Sequence, residues 1–76
     1  MDDDNASEAG ITLFYRGTVK IKIGEYKEAI EDLEQYRLVF KKHGLDVDPD
    51  CLAGMAECYH KQEDYMQAII FYSLAA

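Results

Sequence analysis

The segment LAGMAECYHKQEDYMQAIIFYSLA, residues 52–75, decides the fold, because a related segment lies 39 positions before it. The displacement that places Gly17 on Ala56 also aligns seven further pairs of identical or similar residues. These pairs are Leu13 with Leu52, Lys22 with Lys61, Glu25 with Asp64, Tyr26 with Tyr65, Ala29 with Ala68, Ile30 with Ile69 and Leu33 with Tyr72. Since one displacement produces all the matches, the chain contains an internal repeat.

Apolar residues within the repeat recur at three- and four-residue steps, as on the buried face of an amphipathic helix. The predicted faces are Tyr26, Ala29, Ile30, Leu33, Tyr36 and Phe40 in a second helix, Leu52, Met55, Ala56 and Tyr59 in a third, and Tyr65, Ala68, Ile69, Tyr72 and Ala75 in a fourth. Gly44 is typical of a helix end, and Asp48 followed by Pro49 of a helix start. Residues 10–23 are rich in β-branched side chains, which by themselves would also suit a pair of strands.

These signals predict an all-α chain of two antiparallel helical hairpins. We expect an acidic N-terminal tail at 1–9, hairpin 1 at 10–44, a linker at 45–49 and hairpin 2 at 50–76. The length of 76 residues suits one small domain with a limited core.

The charge of the chain favours a protein partner. Lys and Arg total 8 against 15 Asp and Glu, a net charge of -7, which disfavours nucleic acid or an anionic membrane as a partner. The N-terminus is acidic and no apolar run reaches the roughly 18 residues of a membrane span, so we expect no secretory signal. Cys51 and Cys58 would lie about 10 Å apart on one helix, too far for a mutual disulfide. We therefore expect both cysteines to be buried free thiols and the protein to be cytoplasmic, where the environment is reducing.

The repeat resembles the tetratricopeptide repeat, a family of helical hairpins that stack into arrays. In the second unit the resemblance rests on Leu52, Met55, Ala56, Tyr59, Ala68, Tyr72 and Ala75, and on the turn KQEDY at 61–65; in the first it rests on Leu13, Gly17, Gly24, Tyr26, Ala29 and Leu33. A small residue on the first helix, Gly17 or Ala56, lets the second helix approach closely. Arg16, Lys20 and Tyr36 depart from the family pattern, as does the spacing of 39.

The resemblance implies a protein-interaction function of the adaptor or scaffold type. In this family the inner face of each first helix lines a groove for a peptide or helix of a partner protein. The corresponding positions are Ile11, Phe14, Thr18, Ile21 and Lys22, then Asp50, Ala53, Glu57, His60 and Lys61. One side of this groove is apolar and the other carries mixed charge, which suits an amphipathic or basic segment.

A narrower hypothesis concerns the class of partner. The second unit is similar to tetratricopeptide chaperones that hold translocator proteins in bacterial type III secretion, and these chaperones are also small, acidic and cytoplasmic. The spacing of 39 and the brief N-terminus fit that group less well. The chaperone function is therefore an alternative to a general adaptor.

A calcium site is a further alternative, from a different class of function. Asp46, Asp48, Asp50 and Glu57 fall at positions 1, 3, 5 and 12 of an EF-hand loop. Cys51 stands where that loop needs glycine, however, and a loop there would disrupt the predicted third helix. An acidic linker that caps a helix is the simpler interpretation.

Other catalytic or metal-binding patterns are weak. Cys58 and His60 are two residues apart on a predicted helix and point to different sides, so they suit neither a zinc site nor a nucleophile pair. The sequence has no Gly-rich phosphate loop and no activated-serine motif. We expect no enzyme activity, no cofactor and no metal.

The fourth helix is apolar on nearly all sides, which predicts burial on more than one side. Ile70, Phe71 and Leu74 are predicted to have no partner within two hairpins. Either a longer repeat array or self-association would cover them, and a homo-oligomer or a fragment of an array is the expectation. Among the six tyrosines, Tyr15 is predicted to be exposed and the others to pack in the core.

Overall fold

Four helices form two hairpins in the computed structural model, which describes the backbone of residues 2–75 and the side chains of residues 8–75. The helices are α1 (Asp2–Lys22), α2 (Tyr26–Lys42), α3 (Pro49–Lys61) and α4 (Tyr65–Ala75). α1 packs on α2 and α3 packs on α4, while α2 joins the hairpins by packing on α3. The predicted all-α fold of two hairpins is therefore confirmed. Within the described residues, no helix has the length and apolar character needed to cross a membrane.

The first helix is longer than the sequence pattern indicated. It begins at Asp2, so the acidic segment expected as a tail at 1–9 is helical from residue 2 onward. The β-branched stretch 10–23 is also helical as far as Lys22. Packing against α2 decides the conformation of this stretch, since tertiary contacts override local propensity.

The two hairpins turn in the same way at positions that the repeat relates. Gly24 and Glu63, which are 39 residues apart, both adopt the left-handed conformation, with φ of 86° and 64°. Each turn is closed by the six-to-one backbone bond of a Schellman motif. These bonds run from Glu25 N to Lys20 O, 2.8 Å, and from Asp64 N to Tyr59 O, 2.8 Å. The internal repeat thus corresponds to repeated backbone geometry.

Small residues let the helices of hairpin 1 approach closely, as predicted. Gly17 is buried, and a Cβ atom placed there would lie 2.8 Å from Cγ of Leu33 and 3.4 Å from the carbonyl oxygen of Ala29. Ala29 is fully buried, as is Ala56, the counterpart of Gly17 in hairpin 2. Side chains larger than these would push the helices apart.

Two basic residues of α1, Arg16 and Lys20, pair with a buried carboxylate of α2. Asp32 is only 6% exposed, and its Oδ2 lies 2.9 Å from Nζ of Lys20 and 3.7 Å from Nε of Arg16. A buried carboxylate needs such a counter-charge, because an unpaired one would be strongly unfavourable. Charge pairing therefore supplements apolar packing between α1 and α2.

The core lies where α2, α3 and α4 meet. Its buried members are Leu33, Tyr36, Cys51, Met55, Ala56 and Phe71. The prediction that Phe71 has no partner within the two hairpins is wrong. Its ring stacks on Tyr59 at 5.5 Å, and the guanidinium of Arg37 lies 5.5 Å from the centre of the same ring.

The predicted core face of α4 was correspondingly wrong at three positions. Ala68 is buried, but Tyr65, Ile69 and Tyr72 are 53%, 63% and 47% exposed. Because α4 is apolar on nearly every side, its periodicity carries no information about its rotation. The rotation of α4 about its axis is set instead by Phe71, which fits between Tyr59 and Arg37.

Replacing Gly17 with alanine should destabilise the fold. The new Cβ would collide with the fully buried Leu33, and overpacking of this kind costs about 1–3 kcal/mol in the free energy of unfolding. Chemical denaturation followed by circular dichroism measures the loss.

Gly54→Ala is the matched control. A Cβ at Gly54 would lie 3.3 Å from the flexible end of Ile21, and a helix gains about 1 kcal/mol when alanine replaces glycine. This variant should be at least about as stable as wild type. Equal destabilisation by both substitutions would contradict the assigned role of Gly17.

Candidate functional site

An open cavity of about 550 Å³ lies between α1, the end of α2 and the loop that leads into α3. We call it the aromatic groove. It is lined by Ile11, Phe14, Tyr15, Tyr36, Phe40, Asp46, Val47, Asp48 and Pro49. Tyr15 and Ile11 are 67% and 47% exposed, so large apolar surface at the rim of this groove is open to solvent.

The wall of the aromatic groove is a chain of three rings joined by two contacts. The Phe14 and Tyr36 rings meet edge to face with centroids 5.1 Å apart, and the Tyr36 and Phe40 rings lie 4.4 Å apart at 45°. Gly10 makes room for Phe40, because a Cβ at Gly10 would overlap its ring. Such ring pairs add specific geometry to the area that they bury.

Tyr36 ties the wall of the groove to the start of α3. The backbone N–H of Asp48 donates a hydrogen bond to the Tyr36 hydroxyl at 3.0 Å. The Asp48 carboxylate in turn accepts from the backbone N–H of Asp50 at 2.9 Å, which makes Asp48 the N-cap of α3, with Pro49 in the first turn. Burial raises the pKa of Tyr36, and the hydrogen bond from Asp48 opposes that shift.

The open side of the aromatic groove is acidic. Asp46 and Asp48 belong to its lining, and the exposed Asp50 follows directly after Pro49. The carboxylates sit beside apolar surface on a chain of net charge -7. This combination favours a ligand that joins an apolar group to a positive charge.

The residues predicted to line a binding groove separate into two groups. Ile11 and Phe14 line the aromatic groove, and Asp50 directly follows Pro49, which also lines it. The remaining positions lie outside the cavity. They are Thr18, Ile21 and Ala53, which are half-buried, and Lys22, Glu57, His60 and Lys61, which are exposed.

Three of the residues outside the cavity make contacts within the chain. The Thr18 hydroxyl donates a hydrogen bond to the carbonyl oxygen of Phe14 at 2.9 Å. Ile21 packs towards Gly54, so it fills space between α1 and α3. His60 has its ring 5.5 Å from that of Tyr65, at the turn of hairpin 2.

Sequence reasoning missed the residues that complete the cavity. Tyr36 was predicted as a core residue that departs from the tetratricopeptide pattern, and Tyr15 as an exposed tyrosine, but neither as part of a groove. Asp46 and Val47 were assigned to a linker, in which Asp46 was a candidate calcium ligand. The signal that could have found them is the bulky Tyr36 together with the long repeat spacing of 39, because the loop between α2 and α3 reaches the Tyr36 hydroxyl.

The geometry does not provide the loop of a calcium site. An EF-hand requires a non-helical path between its third and last ligands. Asp50 and Glu57 instead both lie within α3, and Asp48 is used as its N-cap. Among the described residues, no group of three or more His, Cys, Asp or Glu side chains is arranged to hold a metal ion.

The two thiols are buried and free, as expected. Cys51 and Cys58 are both 0% exposed, and the thiol of Cys51 lies 3.6 Å from the carbonyl oxygen of Leu33. Burial raises the pKa of Cys51 to about 12 and that of Cys58 to about 11. Thiols in this state are poor nucleophiles at neutral pH.

Replacing Tyr36 with phenylalanine should weaken the fold. It leaves the N–H of Asp48 without its acceptor, which costs about 1–2 kcal/mol in the free energy of unfolding. Urea denaturation measures this cost. Tyr15→Phe is the control, because the exposed Tyr15 ring should tolerate the change within about 0.5 kcal/mol. Equal stability of the two variants would refute a structural role for the Tyr36 hydroxyl.

Both native thiols should react slowly with a disulfide reagent at pH 8. An unfolded thiol of pKa near 8.5 is about one quarter ionised there, whereas a pKa of 11 leaves about one thiolate in a thousand. Labelling of the folded chain should therefore be at least about a hundredfold slower than in guanidinium chloride. A Glu31→Cys variant supplies an exposed thiol as the control, and equally fast labelling of the native thiols would contradict their burial.

The raised thiol pKa values also make the free energy of unfolding depend on pH in the alkaline range. Because folding raises both thiol pKa values, their contribution to stability is complete below about pH 8.5 and is lost as the pH rises towards 11.

Comparison of the chain with protein-family models, with curated proteins and with solved structures finds no match in any of the three. The structure therefore establishes the arrangement of the helices. The chain is a small all-α domain of four helices, in which two helical hairpins pack together.

Proposed function

We propose that this chain is a protein-interaction module of the tetratricopeptide-repeat type, which binds a peptide or helix of a partner protein in the aromatic groove. The observation that carries the proposal is the exposed surface of Ile11 and Tyr15 beside carboxylates, in a groove between α1, the end of α2 and the loop into α3. The repeated hairpin geometry, with equivalent left-handed turns at Gly24 and Glu63, supports the family type.

The chemistry of the groove specifies the bound segment. A large apolar side chain of the partner would enter between Ile11 and Phe14 on one side and Val47 on the other, where it leaves water. A Lys or Arg beside it would face Asp46 and Asp50. Buried apolar anchors supply most of the affinity in such interfaces, and charges at the rim mainly set the association rate and the choice of partner.

A partner longer than a few residues would continue along the surface of α3. The exposed residues Glu57, His60 and Lys61 follow Asp50 on that helix. Their role in binding stays a prediction, as does the narrower hypothesis of a chaperone for secretion translocators.

Selection from a library of random 12-residue peptides tests this function. Enriched peptides should combine a large apolar residue with Lys or Arg one to four positions away. Tyr15→Ala should weaken their binding at least about tenfold, because it removes an exposed ring from the rim of the groove. Asp46→Lys should mainly slow association, and the difference from wild type should shrink as salt is added.

Matched substitutions outside the groove provide the controls. Tyr72→Ala removes a tyrosine of similar exposure from α4, and Glu31→Lys reverses a charge on the exposed surface of α2. Both should leave peptide affinity within about twofold of wild type. Enriched peptides that are acidic, or that lose affinity equally in all four variants, would overturn the proposed groove.

A further inference from the structure

The helix α4 exposes an uncharged apolar surface on the side away from α3. We call this surface the outer face of α4. It consists of Tyr65, Met66, Ile69, Ile70, Tyr72 and Leu74, which are 47–75% exposed. Residues 65–75 contain no charged side chain, although charged residues make up 30% of the chain.

The outer face is a continuous apolar patch, whereas exposed apolar side chains on a monomer are usually scattered singly. A fully covered aromatic side chain buries about 150–250 Å², so six large side chains near half exposure offer on the order of 500 Å². The largest apolar patch of a typical monomer covers about 300–600 Å² and often has a function. Specific interfaces bury about 800 Å² on each partner, which the outer face and its polar margin approach.

Charge indicates what can cover this surface. Two copies of a chain with net charge -7 repel each other over most of their surfaces. At α4 that repulsion is smallest, because the helix itself carries no charge. The exposed apolar side chains of α1, which include Tyr15 and Val19, are a less suitable partner because the exposed Arg16 and Lys22 lie on the same helix and would lose water against α4.

The outer face is also complementary to itself when two copies run antiparallel. Met66, Ile69, Ile70 and Ser73 follow the three- and four-residue steps that form one line along a helix. With a twofold axis near Ile69 and Ile70, the long Met66 side chain lies against the small Ser73 of the partner subunit, and the reverse contact forms by symmetry. Antiparallel helices also place opposite ends of their dipoles together.

We propose that two copies of this chain form a symmetric dimer through the outer face of α4, with the two α4 helices antiparallel. Phe71 takes no part, because it is buried against Tyr59 within its own chain. The outer face shares no residue with the aromatic groove, so the dimer would leave both grooves open. The inference does not depend on the proposed peptide-binding function.

Sedimentation equilibrium of the whole chain tests the dimer. The wild-type chain should reach twice the mass of one chain and no more as its concentration rises. Ile69→Glu should weaken association at least about a hundredfold, because each dimer would bury two unpaired carboxylates. Leu38→Glu is the matched control, since Leu38 is 57% exposed on α2 and its change should alter dimerisation by less than about twofold.

Crosslinking tests the antiparallel arrangement independently of that variant. A mixture of Met66→Cys and Ser73→Cys chains should form disulfide-linked pairs under mild oxidation much faster than either variant alone. Cys51 and Cys58 interfere little because both are buried. Circular dichroism shows whether each variant keeps its helices.

Three results would overturn the proposal. One is a wild-type chain that remains a monomer at about 1 mM. Another is mass that grows beyond a dimer with concentration, which indicates head-to-tail contact between unlike faces. The third is failure of either variant test, through equal loss of association in Ile69→Glu and Leu38→Glu or through crosslinking that is no faster in the mixture than in either cysteine variant alone.

Discussion

The Tyr36 side chain contacts α1, its own helix α2 and the loop that leads into α3, and the hydrogen bond from the backbone of Asp48 to its hydroxyl fixes the last of these contacts. Through its ring, Tyr36 contacts Phe14 of α1 and Phe40 of its own helix. Through its hydroxyl it fixes the residue that caps α3. The shape of the aromatic groove therefore depends on this side chain, and the packing of α2 on α3 gains an anchor from it. A smaller residue there would leave the loop into α3 without this anchor.

The two hairpins share backbone geometry but are stabilised differently. Hairpin 1 combines the close approach at Gly17 with a buried carboxylate, Asp32, which pairs with the half-buried Lys20 and the exposed Arg16. Hairpin 2 has Ala56 at the equivalent position and depends on apolar packing of Met55, which is fully buried. The repeat thus conserves turns and small residues within the chain, while the chemistry of the flanking side chains varies. Polar pairing requires specific geometry, whereas apolar side chains tolerate more ways of filling space.

Much of the fold was predictable because the decisive signals were local. The small residues, the turn at 61–65 and the cap at Asp48 each identify a feature whose cause lies within a few residues. The rotation of α4 was not predictable, since an almost wholly apolar helix has no polar side to orient it. The candidate site was predictable only in part. Phe14 was expected from the resemblance to the tetratricopeptide repeat, but Asp46 and Val47 reach the groove through a loop whose path depends on the distant Tyr36.

The position of α4 also sets an order of local opening. This helix packs along α3 and reaches α2 through the contact of Phe71 with Arg37, whereas α2 is packed on both sides by α1 and α3. The turn that precedes it holds Glu63 in a left-handed conformation that disfavours residues other than glycine. Detachment of α4 relieves that conformation while hairpin 1 stays intact. Backbone amides of α4 therefore exchange with solvent through a smaller unfolding event than those of α2.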